Sequence, residues 1–67
     1  MNTFVKANLL TTLDAEFDET CLAYAKAVYA LDNSQNYREL AENAATAAEL
    51  EETLQKIFQI ALQVLEA

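Results

Sequence analysis

Residues 50–65 have the sequence LEETLQKIFQIALQVL, and the width of their apolar surface decides the fold. At about 100° per residue, the apolar positions of this stretch cover an arc of roughly 200° on a helical wheel. A surface helix needs an apolar stripe of only about 100° to rest on a core. We therefore expect a helix that is covered from more than one side, and a chain of 67 residues can hardly provide that cover alone.

Composition restricts the rest of the fold to helices. The chain has thirteen alanines but no glycine and no proline. Alanine is the best helix former, and hairpin-rich β architectures need turn residues that adopt positive φ, usually glycine. A chain of this length has room for one domain and buries only about 60% of its unfolded surface. We predict a single all-α domain over residues 1–67.

A heptad of apolar residues predicts the first long helix, at about residues 12–31. Its members share one face, and they are Leu10, Leu13, Phe17, Cys21, Tyr24, Val28 and Leu31. Thr11 or Thr12 is the expected N-cap, which places the acidic residues between positions 14 and 19 in the first two turns, where the helix dipole favours negative charge. Residues 3–10 are predicted to form either a separate turn or two of helix or a kinked extension.

The polar run at residues 32–36 predicts the turn of a hairpin. After it, Asn36 and Glu39 have the spacing of an N-cap and its capping-box partner. The alanine-rich face that follows is out of phase by about 100° with the apolar face of residues 50–65, more than ordinary helical drift explains. Thr46 and Glu49 have the spacing of a second capping box. We therefore predict helices at 37–46 and 47–66, with one continuous helix as the alternative.

These elements predict an antiparallel helical hairpin that pairs with a second copy into a four-helix-bundle-like homodimer. A compact monomer of three or four helices is the alternative architecture. Self-association is expected to use the large apolar side chains near the C-terminus together with one alanine. The predicted contact residues are Ile57, Phe58, Ala61, Leu62 and Leu65.

A second apolar stripe on the first long helix predicts a second packing partner. Ala15, Leu22 and Tyr29 lie about 140° away from the heptad face. In one explanation, Phe4 or Val5 of a folded-back N-terminal segment covers Leu22 and Tyr29. In the other, which we weigh equally, Leu22 and Tyr29 form a contact surface for another protein.

The residue types present argue against catalysis and against bound cofactors. Histidine is absent, which removes the commonest general base and the usual partner of a serine or cysteine nucleophile. The acidic groups at 14–19 and 49–52 lack the glycine of a calcium loop, so we predict no metal site. Cys21 lies on the apolar heptad and is predicted to be a buried core residue rather than a reactive thiol.

Charge and hydropathy narrow the function without fixing it. A net charge of −7 with four scattered basic residues opposes direct contact with nucleic acid. One cysteine, and no apolar run long enough to span a membrane, suggest a cytoplasmic protein. We predict a small protein–protein interaction or adaptor module. The alternative is an acidic regulator that mimics nucleic acid or blocks a basic DNA-binding protein, and the third class is an enzyme or metal-binding bundle that uses only carboxylates and tyrosines.

Overall fold

The computed structural model describes residues 1–67 and contains two α-helices, α1 (Thr3–Asp32) and α2 (Tyr37–Glu66), joined by a turn at 33–36. The two helices pack against each other as a hairpin. Each has 30 residues, and there is no strand. The hairpin is a rod with a length of 52 Å. Neither helix has a stretch that is long and apolar enough to cross a membrane. The predicted all-α antiparallel hairpin is therefore confirmed.

The first helix begins earlier than the predicted residue 12. Its N-cap is Asn2, whose side-chain oxygen accepts a hydrogen bond from the backbone N–H of Val5 at 2.9 Å. The hydroxyls of Thr11 and Thr12 donate instead to the carbonyls of Ala7 and Asn8, one turn back within the helix. Residues 3–10 therefore continue α1 without interruption. The acidic residues at 14–19 lie in the middle of this helix, so the prediction that they stabilise its first turns is wrong.

The break predicted at residues 46–49 is also wrong, because α2 is one continuous helix from Tyr37 to Glu66. The Thr46 hydroxyl does not cap a new helix but donates to the carbonyl of Glu42 at 3.1 Å. Glycine and proline are absent, so nothing local interrupts the backbone hydrogen bonds. The two apolar faces keep their phase difference, and α2 accommodates it by leaving part of its apolar surface exposed.

The predicted start of α2 is confirmed in detail. The Asn36 side chain accepts a hydrogen bond from the Glu39 N–H at 2.9 Å. The Glu39 carboxylate in turn accepts from the backbone N–H of Gln35 at 2.8 Å, one residue before the N-cap. The first bond satisfies a donor that the helix start leaves free, whereas the second differs from a capping box in reaching Gln35 instead of the N-cap residue. The Glu39 carboxylate also places a negative charge near the positive end of the helix dipole.

Most residues with low exposure form one stripe on each helix, at alternating spacings of three and four residues. This is the spacing by which two long helices remain in contact along their whole length. In α1 the stripe is Leu10, Leu13, Phe17, Thr20, Tyr24, Ala27 and Leu31, and in α2 it is Asn43, Ala47, Leu50, Leu54, Ile57, Ala61 and Val64. Together the two stripes form the seam of the hairpin. Cys21 and Val28, which were predicted on the core face, are half-buried beside it.

A polar network fixes the two helices relative to each other near the turn. The Asn43 side-chain amide donates to the Ala30 carbonyl at 3.1 Å and to the Ser34 hydroxyl at 3.0 Å. The Ser34 hydroxyl also donates to the Ala30 carbonyl at 3.0 Å. A half-buried asparagine in this mostly apolar seam favours one register, since a slip would separate its amide from both of its partners.

The seam encloses very little interior. Only Ala27, Ala47, Ile57 and Val64 are buried, and each is still 8% exposed. Two of the four are alanines, which allow the helices to approach closely but contribute few apolar atoms. The hairpin therefore has a contact line between two helices and not a core of the usual kind.

Replacing the two predicted N-cap residues separately tests the observed helix boundaries. Asn36→Ala should lower the free energy of unfolding by about 1 kcal/mol, because it removes the acceptor for the Glu39 N–H. Thr46→Ala should leave it unchanged or raise it slightly, since Thr46 lies inside a helix and alanine is the better helix former. Urea titration followed by circular dichroism measures both values. A loss of about 1 kcal/mol for Thr46→Ala would restore the break in α2.

The network at the turn makes a second prediction. Asn43→Ala and Ser34→Ala should each lower the free energy of unfolding by about 1 kcal/mol. The double variant should lose less free energy of unfolding than the sum of the two single losses, because the two side chains bond to each other and share the Ala30 carbonyl. Urea titrations of the four proteins give the coupling energy. Strict additivity would mean that the network does not act as a unit.

Candidate association surface

An apolar groove lies between the helices at the end of the hairpin opposite the turn, which we call the open end. Its volume is about 580 Å³. The lining residues are Leu10, Thr11, Leu13, Asp14, Phe17, Ile57, Phe58, Ala61 and Leu65. Seven of these nine are hydrophobic, and Asp14 is the single charged residue among them. The groove is suited to apolar side chains and offers almost no polar group for orienting a small ligand.

The residues predicted for self-association divide into two sets. Ile57 is buried and Ala61 half-buried, and both belong to the seam with α1. The larger side chains beside them remain in solvent, with Phe58 57% exposed, Leu62 42% and Leu65 57%. This second set forms a ridge along one side of the groove, so part of the predicted contact is already occupied within the chain and part is free.

Helical periodicity explains this division. The stripe that α2 presents to α1 includes Ile57, Ala61 and Val64 at alternating spacings of four and three residues. Phe58 and Leu65 each follow a stripe residue by one position, which turns them about 100° away from the seam. One partner helix covers one stripe, and the wide apolar arc of residues 50–65 extends well beyond it.

One exposed hydrogen bond joins the two helices at the open end. Lys6 is half-buried and continues the spacing of the α1 stripe one turn before Leu10, and its ammonium group donates to the Leu65 carbonyl at 3.3 Å. A cation at the last turn of a helix satisfies a free carbonyl and interacts favourably with the negative end of the helix dipole. Nothing in the sequence pattern indicated this contact between Lys6 and α2.

The two long sides of the hairpin differ in character. Residues seven apart lie on the same side of a helix, so the side with the groove also includes Cys21, Val28, Ala44 and Glu51. We call it the groove face. By the same spacing the other side includes Glu16, Glu42, Glu49 and Lys56, whose ammonium forms an exposed ion pair with Glu52 at 3.3 Å. The groove face also includes Asp14, Asp18 and Asp32 and no basic residue, so it is acidic, and most of its carboxylates lie beyond the groove toward the turn.

The second predicted surface lies on the back of α1. Leu22 is 66% exposed and Tyr29 is 73% exposed. The explanation in which the N-terminal segment folds over them is wrong, because Phe4 and Val5 belong to the continuous helix α1, and Phe4 is 84% exposed. Leu22 and Tyr29 therefore have no partner within the chain.

No arrangement of chemically reactive side chains accompanies the groove. Cys21 is an unpaired, half-buried cysteine. No group of three or more histidine, cysteine, aspartate or glutamate side chains lies close enough to hold a metal ion. Comparison of the chain with protein-family models, with curated proteins and with solved structures found no match. The exposed apolar surface at the open end is the feature from which a function can be argued.

Proposed function

We propose that this protein is a small, acidic protein–protein interaction module that associates with itself through the groove face. Phe58, Leu62 and Leu65 are its principal contact residues. In this proposal the association completes the fold, because it supplies the second cover that the wide apolar arc of α2 requires. The exposed pair Leu22 and Tyr29 lies on the back of α1, where it stays available to a different protein. We place this role in the cytoplasm, where a single unpaired cysteine is stable.

The observation that carries the proposal is the surface area of the single hairpin. A compact monomer of 7.5 kDa exposes about 4,200 Å², whereas this chain exposes 5197 Å². The excess is about 1,000 Å² per chain, and each partner in a standard protein–protein interface buries about 800 Å². Pairing with a second copy would therefore bring the exposed area of each chain to that of an ordinary globular protein.

The free energy available from this surface is large for so small a protein. Full burial of a leucine or phenylalanine side chain contributes about 1.5 to 3 kcal/mol. Phe58, Leu62 and Leu65 are all at least 42% exposed, so a partner would gain a substantial part of that amount from each of them. Whole domains are commonly stable by only about 5 to 15 kcal/mol, so folding and association should be strongly coupled.

Electrostatic repulsion between the two acidic chains opposes association, but its free energy should be smaller than that gained from apolar burial. A dimer has twice the net charge of −7. Salt screens exposed charges over about 8 Å at physiological ionic strength, and most carboxylates lie away from the groove. Apolar burial should therefore outweigh repulsion, and association should become tighter as salt is added.

An acidic regulator that binds a basic site on a DNA-binding protein is the second candidate. It is favoured by the position of the charge, since residues 1–13 and 61–67 hold one lysine and one glutamate, and the whole net charge of −7 belongs to residues 14–60. Capture of basic proteins that weakens steeply between low and physiological salt would support this role. Binding that does not change with salt would oppose it.

Two aromatic-to-aspartate variants test self-association. Phe58→Asp should convert the dimer to monomer and lower helix content at the same time, because folding and association bury the same surface. Tyr37→Asp is the matched control, since Tyr37 is 85% exposed at the first residue of α2, near the turn, and an acid there suits the helix dipole. It should leave both the mass and the helix content unchanged.

Sedimentation equilibrium at micromolar concentration and physiological salt measures the mass, and circular dichroism measures helix content. A clean species of 7.5 kDa for the unaltered protein would refute the proposal. The proposal would also be refuted if Phe58→Asp retained the mass and helix content of a dimer, because Phe58 would then lie outside the contact.

A further inference from the structure

We propose that the two copies overlap only through their open ends, so that their turns point in opposite directions and the dimer is much longer than one hairpin. This inference rests on the self-association proposed above and specifies its geometry. In a symmetric pair the same patch of each copy contacts the other, so the ridge of Phe58, Leu62 and Leu65 from each hairpin lies against the groove of its partner.

The distribution of exposed apolar side chains is the first argument. Twelve large apolar side chains are exposed, and eight of them lie within residues 1–9 and 58–65. By the seven-residue spacing, four of these eight lie on the groove face, namely Phe4, Phe58, Leu62 and Leu65. Toward the turn the groove face instead presents mostly small side chains, those of Cys21, Ala25, Ala41, Ala44 and Ala48, while Val28 is already half-buried. Extending the contact beyond the open end would therefore add little apolar burial.

The carboxylates on the groove face are the second argument. By the seven-residue spacing this face includes Asp14, Asp18, Asp32 and Glu51, and none of the four basic residues of the chain. Overlap along the full length would remove all four carboxylates of each copy from water with no cation to pair them, which is strongly unfavourable. Overlap of the open ends, over residues 3–17 of α1, leaves Asp18, Asp32 and Glu51 outside the contact, so that only Asp14, which lines the groove, falls within it.

The position of the net charge is the third argument, and it disfavours a parallel pair. The residues that form the open end and line the groove, 1–17 and 57–67, have a net charge of −2, whereas residues 18–56 have a net charge of −5. A parallel arrangement would place the two segments of charge −5 side by side along their length. Overlap of the open ends brings the less charged segments together and moves the more acidic segments as far apart as the contact allows.

The distance between the two turns distinguishes these arrangements. Each hairpin is 52 Å long. An overlap that covers residues 3–17 of α1 is about 21 Å long, which places the turns about 80 Å apart. Full antiparallel overlap would place them about 50 Å apart, and a parallel pair within about 25 Å, given helix spacings of 8–10 Å.

Pulsed dipolar spectroscopy in deuterated solvent measures this distance between spin labels at Gln35→Cys in a Cys21→Ser background. We expect a separation near 80 Å, together with a maximum dimension of similar size in small-angle X-ray scattering. A dimer with turns near 50 Å or closer would overturn this arrangement and leave the proposed self-association standing. A monomer would overturn both and leave the groove to a partner other than this chain.

A matched pair of glutamate substitutions on the groove face gives an independent test. Leu62→Glu lies in the contact and should weaken dimerisation at least tenfold. Ala44→Glu lies on the same face near the turn, beyond the overlap, and should change the dimerisation constant less than twofold. Sedimentation equilibrium measures both constants. Equal weakening by the two substitutions would show that the contact runs the length of the hairpin and would overturn the inference.

Discussion

A single helix can cover only one stripe of residues on the helix it packs against, and the rest of this structure depends on that limit. α2 has an apolar surface roughly twice as wide as an ordinary buried stripe, but the chain has only α1 to place against it. The seam contains Ile57, Ala61 and Val64, whereas the adjoining ridge of Phe58, Leu62 and Leu65 is exposed to solvent. The small number of buried residues, the open groove and the large exposed area all follow from this one mismatch.

The helix boundaries show which local signals in a sequence are decisive. Asn36, Thr11 and Thr46 are all residues that cap helices, but only Asn36 follows a run of polar residues that cannot continue the preceding helix. The two threonines are preceded by good helix formers, so their hydroxyls bond to the carbonyl one turn back and the helix continues. A cap residue predicts a helix start only where the preceding sequence also favours an end.

The apolar surface was predictable from the sequence, but its division between the seam and the free ridge was not. The arc of residues 50–65 is nearly continuous, so periodicity alone does not tell which part meets α1. That choice depends on the stripe of α1, which includes Thr20 and Ala27 where the apolar pattern indicated Cys21 and Val28. It also depends on Asn43, which reads as an ordinary polar residue in the sequence and fixes the register only through its bonds to Ala30 and Ser34.

The central claim is that one hairpin lacks the buried surface to fold alone and obtains it from a second copy. The dependence of the unfolding midpoint on protein concentration tests this claim most directly, because mass action raises the midpoint only when folding and association are coupled. Thermal unfolding followed by circular dichroism from about one to several hundred micromolar gives this dependence. The account predicts a midpoint that rises steadily over this range. A midpoint independent of concentration would contradict it and identify the hairpin as a self-sufficient monomer.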